Sequence, residues 1–193
     1  MAPKPAGKTL AKPKAGKAVF PKPWPPKVPL GSMKDVLPLI KADDESLDTL
    51  MLPSPGMLGD GAQGVDFGPD DIQYLCQCLE KNKTVTHLNV SMSPIGDVGA
   101  AHIAALLEKG QPILRLSMNG CGISSLGAQS LAKGLAQSEV MVVELTSNRI
   151  DDVGGRALLD AVQQNKRLQD VQLGFNSISP EMEAEMEKVF MLR

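Results

Sequence analysis

Four kinds of residue in this chain could do chemistry, and their spacing decides whether they do. Gly59, Gly61 and Gly64 spell G-x-G-x-x-G within GDGAQG. Such a loop cradles a pyrophosphate when it joins a parallel strand directly to a helix whose first amides face the ligand. Here the helical pattern begins five or six residues late, at Pro69, so the string reads as a surface insertion. His87 and His102 are the only histidines, and neither has a cysteine or paired carboxylate at metal-ligand spacing. Cys76, Cys78 and Cys121 are odd in number, and the first two are too close for an ordinary bridge, so a reducing compartment fits. Asp70-Asp71 and Asp151-Asp152 precede helical stretches, where acidic side chains complement the helix dipole. There is no G-x-S-x-G elbow and no P-loop. These residues call for no enzyme activity, no cofactor, no metal and no small-molecule substrate.

The elements that carry those residues repeat. VTHLNVSMSPIGDVGAAHIAALL, ILRLSMNGCGISSLGAQSLAKGL, VMVVELTSNRIDDVGGRALLDAV and LQDVQLGFNSISPEMEAEMEKVF start at Val85, Ile113, Val140 and Leu168, at intervals of 28, 27 and 28 residues. Each opens apolar-x-x-apolar-x-apolar, then places Ser93, Cys121, Asn148 or Asn176 two residues before an isoleucine. Gly99, Gly127 and Gly154 follow that isoleucine by four residues in three of the four units. The alternation predicts a short strand, and the pairs Ile103/Leu107, Leu131/Leu135 and Leu158/Val162 predict a following helix. A less regular unit precedes these. LDTLMLPSPGM puts Leu47, Leu50, Leu52, Pro55 and Met57 in the same phase, with a helix from Pro69 that turns Ile72, Leu75 and Leu79 inward. Leu47 lies 38 residues before Val85, so about ten residues are inserted, near LGDGAQGVDF.

This pattern resembles the leucine-rich repeat family, in its ribonuclease-inhibitor-like class. The resemblance implies an α/β solenoid of about five strand–helix units with a parallel sheet on the concave face. The expected organisation is a basic Pro/Lys-rich extended arm over residues 1–34 and a repeat domain over 35–193. Within that domain, 35–46 form a cap, 47–84 an irregular repeat with an insertion, and 85–193 four regular repeats. It also implies that Ser93, Cys121, Asn148 and Asn176 satisfy backbone groups where the chain leaves each strand. The strand positions expected to face the concavity include His87, Asn89, Arg115, Ser117, Asn119, Val142, Glu144, Thr146, Asp170 and Gln172, with Thr49, Met51 and Pro53 from the first unit. Of these, His87, Asn89, Arg115, Asn119, Glu144, Thr146 and Gln172 are the candidate partner contacts. Phe175, at the strand edge, either anchors a partner or packs on its own turn.

The arm differs from the body in charge. Residues 1–34 hold eight lysines and no acidic residue, whereas the remainder has 12 Lys and Arg against 22 Asp and Glu. A basic tail on an acidic body points to a partner with negative surface. VFPKPWPPKVPLG favours polyproline II and carries the only tryptophan, so Phe20 and Trp24 are candidate anchors, with Lys22 and Lys27 as electrostatic guides. The expected partners are other proteins of a large complex, with tubulin or axonemal proteins favoured. RNA through residues 1–34 and a regulatory protein-binding role are the alternatives. No apolar run reaches the roughly 18 residues of a membrane helix. The expected location is cytoplasmic, on the cytoskeleton or in a cilium or flagellum, with a mitochondrial setting left open.

Overall fold

The computed structural model describes residues 33–45, 47–52 and 68–192. Phe20, Lys22, Trp24, Lys27, Pro53 and the Gly59–Gly64 string lie outside the described residues. After an initial helix α1 (Met33–Ala42), strands and helices alternate: β1 (Thr49–Met51), α2 (Pro69–Leu79), β2 (His87–Asn89), α3 (Gly96–Glu108), β3 (Arg115–Ser117), α4 (Ser125–Leu135), β4 (Val142–Glu144), α5 (Asp152–Gln164), β5 (Asp170–Gln172) and α6 (Pro180–Met191). The strands form one parallel sheet in sequence order. Five parallel strand–helix units therefore stack into a short solenoid.

Register follows the repeat. Thr49, His87, Arg115, Val142 and Asp170 pair across the sheet, as do Met51, Asn89, Ser117, Glu144 and Gln172. Between these rows, Leu50, Leu88, Leu116, Val143 and Val171 turn inward and are buried. They meet Ile72, Leu75, Ile103, Leu107, Leu131, Leu135, Leu158 and Val162 from the helices in one aliphatic core. Each such side chain contributes about 1.5–3 kcal/mol when fully buried. No single unit encloses these residues, so the core exists only in the stack.

Close helix spacing requires small residues. A Cβ on Gly134 of α4 would lie 2.6 Å from the Ala104 carbonyl oxygen of α3. One on Gly127 would lie 2.5 Å from the Asp97 carboxylate and 2.8 Å from Ile123. The recurring glycine thus lets α4 and α5 start against the preceding repeat.

Buried polar side chains tie one repeat to the next. Asn148 Oδ1 accepts from the amides of Cys121 and Ile123, both at 3.0 Å, and its Nδ2 donates to the carbonyls of Met118 and Leu145 at 2.9 Å. Asn176 repeats this one unit later, accepting from Ile150 at 3.0 Å and donating to Leu145 and Leu173 at 2.9 Å. The Cys121 thiol donates to the Val90 carbonyl at 3.3 Å. Ser93 departs from the expectation, because its buried hydroxyl has no hydrogen-bond partner.

A second buried row lies where helices descend into strands. Asn82 donates to the Ile40 carbonyl and accepts from the Val85 amide, and Gln111 donates to the Glu80 carbonyl. Ser138 accepts from the Val140 amide, while Asn165 donates to the carbonyls of Leu135 and Ser138.

Two members of the first row predict opposite stabilities. Asn148→Ala leaves two buried amides without an acceptor and is expected to cost about 2–4 kcal/mol in urea unfolding. Ser93→Ala removes an orphaned hydroxyl and is expected to be neutral or stabilising within about 1 kcal/mol. A large loss in Ser93→Ala would show that its hydroxyl is engaged in the folded chain.

Candidate functional site

The polar sheet face has a built centre. Arg115 Nη2 lies 2.7 Å and its Nε 3.0 Å from Glu144 Oε1. Ser117 Oγ donates to Glu144 Oε2 at 2.9 Å, and Asn119 Nδ2 to the same oxygen at 3.3 Å. Asn119 Oδ1 then accepts from the Thr146 amide at 2.8 Å. Four of the residues singled out in the sequence, Arg115, Asn119, Glu144 and Thr146, therefore form one network. Ser117 completes it, although only the strand pattern had marked it. The arrangement fixes the side chains and cancels the Arg115 and Glu144 charges, so the surface is rigid and mixed rather than a basic stripe.

The remaining concave residues divide by accessibility. Asn89 is buried and uses its Oδ1 to accept from the Ser91 amide at 2.9 Å, a local structural bond. His87 is half-buried, with Nδ1 2.9 Å from Thr86 Oγ1. Burial first, and the neighbouring Arg115 cation second, hold its pKa below the ordinary histidine value. Gln172 is exposed and donates to Asp170 at 2.9 Å.

At the edge where strands lead into helices, Phe175 is 87% exposed, so it does not pack on its own turn. It occupies the left-handed region at φ 56°, as Met92 and Ser147 do at φ 63° and 59°. Gly120 fills the equivalent place, with φ 64°. A bulky side chain there is strained, and this backbone turn throws it outward. Val98, Leu126 and Val153 stand on the same edge, 59%, 69% and 60% exposed, in the first turns of α3, α4 and α5. Each follows its repeat isoleucine by three residues. That phase was visible in the sequence, but its exposure depends on where the helix starts.

The groups with chemical potential are inert or scattered. Burial pushes the Cys76 thiol up to about 12 and the Cys121 thiol up to about 11, so neither supplies thiolate near neutral pH. Among the described residues no three His, Cys, Asp or Glu side chains cluster as a metal site. Nor is any described helix long and apolar enough to cross a membrane.

Comparison with known proteins agrees with this geometry. The Leucine Rich repeat family model matches residues 81–104, 111–132 and 140–159, the units whose strands and helices stack here. The chain is a leucine-rich repeat protein. It is 29% identical to mouse ribonuclease inhibitor over 47% of its length and 20% of that protein. It is 32% identical to mouse NACHT, LRR and PYD domains-containing protein 4E over 52% of this chain and 10% of that one. The leucine-rich repeat region thus matches only a tenth to a fifth of these relatives. The structure of leiomodin-1 actin-binding site 2 has a TM-score of 0.64 at 15% identity, covering 83% of this chain and 88% of that one. The tropomodulin C-terminal domain of Caenorhabditis elegans has a TM-score of 0.61 at 14% identity, covering 82% and 90%. These two likenesses show the fold.

Two outcomes follow for titratable groups. A thiol reagent at neutral pH is expected to label half-buried Cys78 in the native protein, and Cys76 and Cys121 only on unfolding. Rapid native labelling of Cys121 would contradict the closed core. For His87 the depressed folded pKa means that the unfolded chain binds the proton more readily. Its stabilising contribution is full above the unfolded value of about 6.5 and is lost as pH falls through the folded value. His87→Asn should therefore flatten the stability profile on the acidic side of neutrality, read from urea midpoints across pH.

Proposed function

We propose that this leucine-rich repeat protein is a non-enzymatic protein-binding module that receives its partner on the concave sheet face. The repeat family supports a protein partner, since such solenoids are mostly non-catalytic binding modules. The observation that carries the reading is the network around Glu144, which holds Arg115, Ser117 and Asn119 in place before any partner arrives. Side chains already ordered lose less entropy on association. His87, Thr146 and Gln172 flank the network as contacts, and Phe175 is the aromatic anchor at its edge.

The finer setting we favour is a structural subunit on the acidic surface of a microtubule or axoneme. The support is the eight lysines and absent acidic residues of 1–34, with Phe20 and Trp24 as anchors and Lys22 and Lys27 as electrostatic guides. The same charge would suit RNA, but an arm without arginine lacks the bidentate phosphate fork that nucleic-acid-binding segments commonly use.

A photo-crosslinking side chain placed at His87 or Gln172 in the full chain is expected to capture one common protein in cells. Arg115→Glu should weaken that capture roughly tenfold, about 1.4 kcal/mol. The concave reading fails if the same side chain at Tyr74, on the helical face, captures that protein while positions 87 and 172 do not. Removal of residues 1–32 separates the finer setting: cosedimentation with microtubules should be lost while concave capture persists.

A further inference from the structure

Five of the eight large hydrophobic side chains exposed among the described residues sit on one edge of the solenoid: Met92, Val98, Leu126, Val153 and Phe175. None contributes to the core. Val98, Leu126 and Val153 form a row across successive helix starts, spaced by the interhelical distance of about 8–10 Å. Apolar rows of this kind on a soluble body mark contact surfaces. The first turns along this edge also carry Asp70, Asp71, Asp97, Asp151, Asp152 and Glu181, with Arg149 as the nearby cation. An occupant should therefore be basic, extended and studded with apolar anchors.

The N-terminal segment of this chain has that chemistry and leads into α1, which packs on α2. The Ile40 carbonyl and Asp43 carboxylate, at the end of α1, accept from Asn82 and Lys83 just beyond the end of α2. These bonds fix the end of α1 beside the end of α2. Val28, Trp24 and Phe20 recur at intervals of four residues, with Lys22 and Lys27 between them. Extended at about 3 Å per residue, the thirteen residues from Phe20 to Met33 reach about 40 Å. Four helix spacings of about 9 Å separate α1 from α5, about 36 Å, so the segment is long enough to run along the row.

We propose that residues 19–31 lie along the chain's own helix-start edge, with their apolar side chains, Trp24 among them, against the row of Val98, Leu126 and Val153 and the lysines beside the first-turn carboxylates. An external acidic surface then recruits the arm by displacing it from the body. This contact stands apart from the concave reading, and neither requires the other.

Trp24 is the only tryptophan, so its fluorescence reports the contact directly. In the full-length protein its emission should be blue-shifted, and its quenching by acrylamide weaker than in the same chain unfolded by urea. Leu126→Lys should shift the emission red and raise quenching towards the unfolded value, with circular dichroism unchanged. Val98→Lys should act the same way, which covers failure of either variant to fold. Tyr74→Lys, on the helical face, should leave the signal as in the parent. A solvent-exposed Trp24 in the parent protein overturns the proposal, as does protection that survives both edge variants. Protection that grows with protein concentration also overturns it, because the arm would then lie on a second copy.

Discussion

A carboxamide at the end of a three-residue strand is the interaction on which the rest of this solenoid depends. The chain must leave each strand at once and turn into a helix, and that bend buries amides and carbonyls that no sheet partner can reach. Asn148 meets the need by bonding two amides and two carbonyls drawn from its own repeat and the one before. Each buried group left unmade would cost about 1–3 kcal/mol. The same side chain therefore closes the turn and sets the spacing between repeats. A serine in the first regular repeat does not reach these groups, and a thiol in the second reaches carbonyls only. The bracing is thus absent at Ser93, partial at Cys121 and fullest at Asn148, while Asn176 accepts from one amide rather than two.

That bracing also shapes the binding face. Because turn and register are held from inside, concave side chains are free to bond one another across strands. Glu144 takes donors from three residues of the neighbouring unit, so most of its hydrogen-bonding capacity is used within the protein. A partner meets a surface that is already neutralised, and shape together with the outer residues His87, Thr146 and Gln172 must supply selectivity. Long-range steering from this face is correspondingly weak.

The sheet was legible because its evidence repeats. One strand of three residues says little, but four in phase fix which residues share a row, and the row of His87, Arg115, Val142 and Asp170 follows from the period alone. The helix starting at Pro69 was legible for a similar reason, since proline and two acidic residues mark a first turn. The row of Asn82, Gln111, Ser138 and Asn165 was not legible. Four positions use three residue types at slightly different offsets, and only the carbonyls and amides they reach unite them. Asn89 misled in another way. Strand alternation assigns it to the open face, yet it folds back onto the Ser91 amide and is buried there. The orientation of Phe175 depended on a left-handed backbone that no residue type announced, since glycine occupies only one of the four equivalent places.

Exposure of Val98, Leu126 and Val153 has no explanation in the stability of the repeats themselves. Helix starts along this edge are already served by other side chains. Asp97 accepts from the amides of Ser124 and Gly127, Asp151 accepts from Val153 and Gly154, and Asp152 accepts from Ser179. The position three residues after each isoleucine is therefore relieved of any capping duty, and a polar residue there would improve solubility at no structural cost. Three consecutive repeats nevertheless place a β-branched or leucine side chain in solvent at that point. The acidic groups around the row keep the edge hydrated and discourage another copy of the same surface from closing on it, since like charges would meet. They do not discourage a lysine-rich segment, and this chain carries eight lysines before its first acidic residue. Segregation of charge between arm and body is thus consistent with an edge that is apolar enough to hold a guest and acidic enough to choose a basic one.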